Sequence, residues 1–168
     1  NPYYPVALAD NYRVNGLDPA RADNMVRMGD VERAGVPFSF HSDMPMAPGQ
    51  PLFLMWSAVN RVTNQGNLRG ADQRVSRQAA LKAVTLDAAY SLQMEKDVGS
   101  IVPGKLANFT VLADNPVTGD SMKIKDIRVW GDPAAVRPAD ANRKASESDA
   151  RFAQDVVQHI STVVDAGH

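Results

Sequence analysis

The sequence contains no cysteine among its 168 residues. This absence excludes a disulfide framework, a thiolate metal site and a cysteine nucleophile. Excess positive charge is also missing, because 18 Lys and Arg residues are balanced by 19 Asp and Glu residues. Neutralising nucleic-acid phosphates requires a basic surface, so we predict no nucleic-acid partner. No apolar run reaches the roughly 18–20 residues of a membrane span, and we expect no membrane partner.

What the sequence does contain is enough apolar material for a folded core. Hydrophobic residues make up 44% of the chain, which is close to the ordinary globular range. The length suits one domain or two small ones. The chain begins at Asn1 without an initiator Met or a leader-like segment. We therefore expect a processed or partial polypeptide. The sequence does not assign the protein to either the bacterial cytoplasm or the periplasm.

The first third of the chain shows the pattern of an α/β unit. Residues 1 to about 18 are rich in Pro, Tyr, Asn and Gly, which predicts loop and turn. Asp18 and Pro19 predict the start of a helix that continues to Ala34 and ends at Gly35. The apolar run at residues 36–40 then predicts a buried strand. A helix, a tight turn and a buried strand in this order are typical of parallel α/β proteins.

The rest of the chain divides into a helical part, a β part and a tail. The sequence predicts a loop over residues 44–50, helices beginning at Pro51 and after the caps Ser76 and Thr85, strands over 100–102, 107–112 and 124–130, a turn at Pro103-Gly104, and a final amphipathic helix over about 146–165. We therefore assign residues 1–97 to the α/β portion, 98–131 to a small β portion, and 132–168 to a linker and helical tail.

Candidate chemistry lies where the predicted strand ends. Reacting groups of parallel α/β proteins cluster at the carboxyl ends of strands, and His41 and Asp43 occupy that place. With Ser39 they share one face if the strand stays regular to its end. A carboxylate there can ligate a metal, accept a proton, or both. The alternative is that Asp43 caps a turn and His41 is a satisfied polar residue. Met44 and Met46 are candidates for lining a substrate pocket.

Two apolar side chains of the predicted helix after Pro51 are further candidates for the same pocket. Met55 and Trp56 lie on its broad apolar face. Such residues on a helix face belong more often to the core, and we predict that role for both.

Three segments stand out for their motifs: GVPFSFHSDMP at residues 35–45, ALKAVTLDAAY at 80–90 and GSIVPGKLANFTVL at 99–112. They resemble amidohydrolase family 3 of the amidohydrolase superfamily, the branch that includes N-substituted formamide deformylases. The first segment is similar to the last barrel strand of that family. Residues 80–90, ALKAVTLDAAY, continue the match, and it is strongest over residues 99–112, GSIVPGKLANFTVL. The last segment resembles the family's G-S-I-x-P-G-K-x-A-D pattern, with Asn108 in place of the Asp. The segments occur in the family's order and span roughly residues 20–131.

The resemblance implies the C-terminal part of a metal-dependent hydrolase with a (β/α)8 TIM barrel and a small β-sandwich, followed by a helical tail without a family counterpart. It assigns the family's strand-eight aspartate to Asp43, as metal ligand and as the group that handles the proton of the attacking water. The implied cofactor is a divalent metal, zinc, with one or two ions. The implied substrate is a small-molecule amide or formamide whose C–N bond is hydrolysed.

Two departures from the family qualify this interpretation. The metal-binding histidines and the strand-four ligand of the family are not in this chain. Asp43 and His41 together offer two ligands, whereas a catalytic zinc has roughly three protein ligands. We therefore expect a fragment or processed subunit whose barrel is completed by the remaining barrel polypeptide. Assembly of several copies of the protein into a homo-oligomer is a further expectation. After Trp130 the family's closing strand is interrupted by Asp132-Pro133.

Two competing hypotheses remain open from the sequence. The first is a non-catalytic interaction module, or degenerate fragment of the fold. The second is a small α/β protein that binds a ligand.

Overall fold

The computed structural model describes residues 1–106, 108 and 110–129. Within them the chain forms six α-helices and two 3-10 helices: α1 Tyr3–Asn15, α2 Pro19–Asp23, α3 Met28–Arg33, α4 Pro51–Asn60, α5 Arg77–Ala83, α6 Leu86–Ser91, and the 3-10 helices Ala71–Gln73 and Ser121–Asp126. In this part of the chain no helix is long and apolar enough to cross a membrane. The predicted linker and helical tail lie outside the described residues.

Helix α1 replaces the loop predicted for the amino end. The side-chain oxygen of Asn1 accepts a hydrogen bond from the backbone N–H of Tyr3 at 2.9 Å, where the helix begins. Pro5 is tolerated because the first turn of a helix leaves its N–H groups without intrahelical partners. Pro5, Val6 and Ala9 are buried. Burial of this face outweighed the loop-like composition, and the loop prediction was wrong.

The single helix predicted from Pro19 to Ala34 is two short helices. Asp18 is the N-cap of α2, as predicted, and accepts a hydrogen bond from the Arg21 backbone N–H at 2.9 Å. The helix is interrupted before α3, where Val26 has a left-handed φ of 53°. Gly35, with φ of 67°, ends α3 as expected.

The interruption is explained by Arg61, whose side chain is fully buried. Its guanidinium donates four hydrogen bonds to backbone carbonyls: Nε to Arg69 at 2.9 Å, Nη1 to Val26 at 3.1 Å, and Nη2 to Asp23 and Met25, both at 3.0 Å. Burial lowers the pKa of Arg61, although Asp72 and Asp23 act in the opposite direction. The α2–α3 turn is thereby attached to the C-terminal end of α4.

Gly70 makes room for this attachment. A Cβ atom at this position would lie 2.0 Å from the carbonyl oxygen of Asp23 and 2.8 Å from Nη2 of Arg61. Its φ of 58° is also in the left-handed region that favours glycine. The backbone of this turn can therefore approach Arg61 closely only with glycine at position 70.

Helix α4 forms the centre of the core. Pro51 is its first residue, as predicted, and Met55 and Trp56 are buried, which confirms their core role. The cluster is completed by Ala58 of the same helix and by buried residues from elsewhere in the chain, namely Val6, Met28, Val75, Ala80 and Ile124. The ammonium group of Lys125 lies 4.3 Å from the centroid of the Trp56 ring.

Helices α5 and α6 begin where the sequence predicted. The Ser76 hydroxyl caps α5 by accepting from the Ala79 backbone N–H at 3.1 Å. Thr85 precedes α6 but does not cap it, because its hydroxyl donates to the Leu81 carbonyl at 2.7 Å. The predicted starts of both helices are confirmed, and the predicted capping role of Thr85 is wrong.

The buried strand predicted over residues 36–40 is not formed. Among the described residues the β pairs are two isolated bridges, Val62 with Leu68 and Leu112 with Val129. Val36 is 54% exposed, and the Phe40 backbone N–H donates to the Ala83 carbonyl of α5 at 3.4 Å. A strand requires a neighbouring strand, and the described residues place none beside this segment.

The β portion also contains fewer strands than predicted. The Pro103-Gly104 turn is confirmed, since the Lys105 N–H donates to the Val102 carbonyl at 3.3 Å and Gly104 has φ of 94°. Residues 100–102 form no strand, and the helix Ser121–Asp126 occupies the first part of the predicted strand 124–130. Ala107, Phe109 and Trp130 of the predicted strands lie outside the described residues.

Replacing Arg61 by Met should destabilise the chain strongly. Four carbonyl oxygens in part-buried hydrogen bonds would lose their donor, and we expect the free energy of unfolding to fall by about 2–4 kcal/mol. Urea denaturation followed by the fluorescence of buried Trp56 measures this change. The matched control is Arg21→Met, at a side chain that is 77% exposed, with an expected change below about 0.5 kcal/mol. Equal effects of the two substitutions would contradict the anchoring role of Arg61.

Asp30 should make stability depend on acid pH. Hydrogen bonds from Gln73, Arg27 and Arg33 lower its pKa from 3.8 to about 2. A lowered folded-state pKa stabilises the fold above the unfolded value, and this contribution is lost as pH falls from about 4 towards 2. Asp30→Asn should therefore lower the urea midpoint at pH 6 and have a smaller effect at pH 2.5.

The control for Asp30 is Asp126→Asn. Asp126 is exposed, and no hydrogen bond or ion pair joins its side chain to a described residue. Its substitution should have the same small effect at both pH values. A pH-independent effect of Asp30→Asn would refute the assigned contribution.

Candidate functional site

The candidate site lies at the turn that follows residues 36–42. Asp43 has a left-handed φ of 53°. Its carbonyl oxygen accepts from the Met46 N–H at 2.7 Å, and the Ser42 carbonyl accepts from the Ala47 N–H at 3.2 Å. The expected common face of Ser39, His41 and Asp43 required a regular strand. The left-handed residue ends that alternation at Asp43.

The start of α1 contacts this turn directly. The side-chain amide of Asn1 donates to the Ser42 carbonyl at 2.7 Å. The hydroxyl of Tyr4 donates to Oδ2 of Asp43 at 2.5 Å. Two segments that are 39 residues apart in the sequence therefore meet at one carboxylate.

Tyr4 is the site residue that the sequence did not reveal. Its segment was predicted to be a loop, and no local pattern links a tyrosine to an aspartate so far along the chain. A helix prediction for Tyr3–Asn15 would have placed Tyr4 in a first turn, but not opposite Asp43. Only the tertiary packing of α1 brings the two side chains together.

The hydrogen bond couples the ionisation of the two groups. The pKa of Tyr4 is raised above its ordinary value of 10.0, first because its hydroxyl donates to the Asp43 carboxylate, and further through burial and the negative charge of Asp43. Tyr4 is therefore a proton donor in this hydrogen bond throughout the neutral range.

The second carboxylate oxygen of Asp43, Oδ1, has no hydrogen-bond partner among the described residues. The residue is exposed. In the same part of the chain, no Lys or Arg forms an ion pair with the carboxylate. Among the described residues the Asp43 carboxylate accepts from Tyr4 and from no backbone N–H, so the structure does not show the alternative of a turn-capping side chain.

The other predicted site residues surround Asp43 at different depths. His41 is exposed, and its Nε2 lies 3.3 Å from the backbone nitrogen of Asn1. Met44 is 76% exposed, whereas Met46 is half-buried. His41, Asp43 and Met44 therefore lie together at one exposed turn, which contacts the start of α1.

The described residues do not complete a metal centre. Within this part of the chain, no group of three or more His, Asp and Glu side chains is arranged to hold an ion. His41 and Asp43 are the metal-ligating side chain types at the turn itself. The turn can supply a carboxylate oxygen to an ion whose remaining ligands come from elsewhere.

The coupling between Tyr4 and Asp43 can be measured through the tyrosine. Asp43→Asn removes the charged acceptor, so the pKa of Tyr4 should fall towards 10.0. Titration of the Tyr4 ring carbon signal by NMR, with labelled tyrosine, measures the shift. Asp126→Asn should leave the Tyr4 titration unchanged. If Asp43→Asn also leaves it unchanged, the hydrogen bond does not exist in solution.

Comparisons with known proteins agree with the motifs. The sequence model of the amidohydrolase family matches residues 2–145. An N-substituted formamide deformylase of Arthrobacter pascens is 35% identical over 102 residues, which are 59% of this chain and 19% of that protein. Protein LONG AFTER FAR-RED 3 of Arabidopsis thaliana is 36% identical over 75 residues, 44% of this chain and 13% of that protein.

A solved structure shares the fold. The crystal structure of an uncharacterised metal-dependent hydrolase from Pyrococcus horikoshii OT3 superposes with a TM-score of 0.56 at 21% identity, covering 71% of this chain and 24% of that one. The chain spans about a fifth of the curated deformylase that it matches. The family match covers most of the chain, including the turn that carries Asp43. The chain therefore belongs to amidohydrolase family 3.

Proposed function

We propose that this chain is part of a metal-dependent hydrolase that uses water to cleave the C–N bond of an amide or formamide. Asp43 supplies one ligand to the metal and handles the proton of the attacking water. The observation that carries this proposal is the exposed Asp43 carboxylate, which has one oxygen bound by Tyr4 and the other without a partner among the described residues. The relative named as an N-substituted formamide deformylase supports the substrate class.

The chemistry of Asp43 fits one position in a metal site. Carboxylate oxygens are ordinary ligands of divalent cations, including zinc. A single carboxylate does not make a site, because a catalytic zinc has about three protein ligands. We therefore propose that one or two zinc ions are held by Asp43 together with ligands from the remaining barrel polypeptide.

The proposed mechanism assigns a proton transfer to Asp43. When bound, the metal lowers the pKa of water towards neutrality and polarises the carbonyl. Asp43 accepts the proton that the water loses as its oxygen attacks the carbonyl carbon. It then delivers this proton to the nitrogen as the C–N bond breaks, so that a formamide gives formate and an amine.

The neighbours of Asp43 supply a surface for the substrate. Met44 offers an exposed apolar side chain next to the carboxylate. His41 offers a polar edge, and half-buried Met46 borders the same turn. We propose that the three residues line the substrate site, where the His41 ring can serve as hydrogen-bond donor or acceptor.

Exposed apolar side chains support a larger assembly. Several lie on and after α6, namely Tyr90, Leu92, Ile101 and Leu106, with exposures of 59%, 70%, 65% and 59%. Covering such side chains with another protein segment would remove apolar surface from water. We propose that the remaining barrel polypeptide covers it.

A non-catalytic interaction module is the second candidate function. It is favoured by one observation, the incomplete set of metal ligands in the described part of the chain. The two functions differ in what Asp43 does when the chain is present in its complete protein.

Asp43→Asn in the complete protein distinguishes them. Because the amide keeps the shape of the side chain but is a poor base and a weaker metal ligand, we expect the rate of amide hydrolysis to fall about 100-fold or more and the metal content to decrease. Formate release and elemental analysis measure the two quantities. Asp126→Asn should alter neither. Unchanged turnover and metal content in Asp43→Asn would favour the interaction module.

A further inference from the structure

We propose that Tyr4 is a positioning residue for Asp43: its hydroxyl holds Oδ2 of the carboxylate, so that Oδ1 stays available to the metal that Asp43 would bind. This inference rests on the proposed function of Asp43 and adds a second residue to it. Tyr4 itself contacts neither substrate nor metal in this account. It acts by fixing the rotation of the carboxylate.

The first support is that α1 presents Tyr4 from a fixed position. The preceding residue, Tyr3, packs its ring 5.3 Å from the ring of Phe53 in α4, and its hydroxyl accepts from the side chain of Asn64 at 3.2 Å. The following residues, Pro5 and Val6, are buried. The backbone at Tyr4 is therefore attached to the core on both sides.

The second support is that the backbone of Asp43 is also held. The carbonyls of Ser42 and Asp43 accept hydrogen bonds from within the turn, and Asn1 adds another to Ser42. What remains free is the rotation of the Asp43 side chain, which is exposed and would otherwise sample several rotamers. The hydroxyl of Tyr4, at 2.5 Å from Oδ2, selects one of them.

The third support is that the hydrogen bond between Tyr4 and Asp43 contributes little to the stability of the fold. It lies at the exposed surface, where a single polar contact contributes little to stability. Outer hydrogen bonds that orient a ligating carboxylate, by contrast, change activity or metal affinity by roughly 10- to 100-fold. The position of Tyr4 therefore suits orientation better than stabilisation.

The chain offers a matched pair of variants. Tyr4→Phe removes the hydroxyl that binds Asp43, and Tyr3→Phe removes the hydroxyl that binds Asn64 on the adjacent residue. Both keep the aromatic ring. Both should therefore leave the thermal unfolding of the protein unchanged, so that any functional difference reports on the Asp43 contact.

The experiment uses the complete protein loaded with Co²⁺ as a spectroscopic probe, together with carboxyl-carbon NMR of Asp43 in the present chain at pH 7. We expect Tyr4→Phe to lower kcat by roughly 10- to 100-fold with little change in KM, to shift the visible Co²⁺ absorption, and to move the Asp43 carboxyl signal. Tyr3→Phe should change none of the three.

Two results overturn the inference. One is a Tyr4→Phe protein with the kcat, Co²⁺ absorption and Asp43 signal of the parent; the other is equal effects of Tyr4→Phe and Tyr3→Phe. Failure of the proposed function is distinguishable, because in that case Asp43→Asn itself would leave turnover and Co²⁺ binding intact. Loss of both in Asp43→Asn, with a silent Tyr4→Phe, would refute the role of Tyr4 alone.

Discussion

The arrangement of the helices depends on one buried cation. The guanidinium of Arg61 binds four backbone carbonyls and joins the α2–α3 turn to the C-terminal end of α4. Helix α3 leads directly into residues 36–43, and α1 packs against α2 and α4. Fixing the turn therefore fixes the two segments that meet at the candidate site. A buried charge is costly unless its donors are satisfied, and here backbone carbonyls accept from four of the five N–H groups of the guanidinium.

The site itself is a junction between a helix start and a turn. The arrangement requires both parts, because the Tyr4 hydroxyl comes from the first turn of α1 and the carboxylate comes from Asp43 in the turn. Together they leave one oxygen of a carboxylate bound to a neutral phenol and the other available to a ligand. This division of the two oxygens is what connects the fold to the proposed hydrolysis. Membership of the amidohydrolase family is compatible with the described residues, which hold no complete metal centre, because Asp43 would be one ligand among several.

The sequence predicted the features that depend on local rules. Asp18, Pro51 and Ser76 start helices through capping or a fixed φ, and Gly35 and Gly104 end or turn the chain through positive φ. These effects need only a few neighbouring residues. The motif around Asp43 likewise identified the family, because a motif is read along the chain.

Features that depend on distant contacts were not predicted. Helix α1 forms because its apolar face packs on α4, and the break before α3 forms because Arg61 competes for its carbonyls. The strand predicted at residues 36–40 also depends on a distant contact. A strand must pair with another strand, and the described residues provide no such partner for this segment. Tyr4 was missed because its role exists only once α1 is folded.

Anomalous diffraction from crystals of the complete protein, recorded at the absorption edge of its metal, tests the central claim most directly. The account predicts an ion with Oδ1 of Asp43 at about 2.0–2.2 Å, and Oδ2 still bound to Tyr4. An ion fully coordinated by other side chains, with the Asp43 carboxylate outside bonding distance, would contradict it.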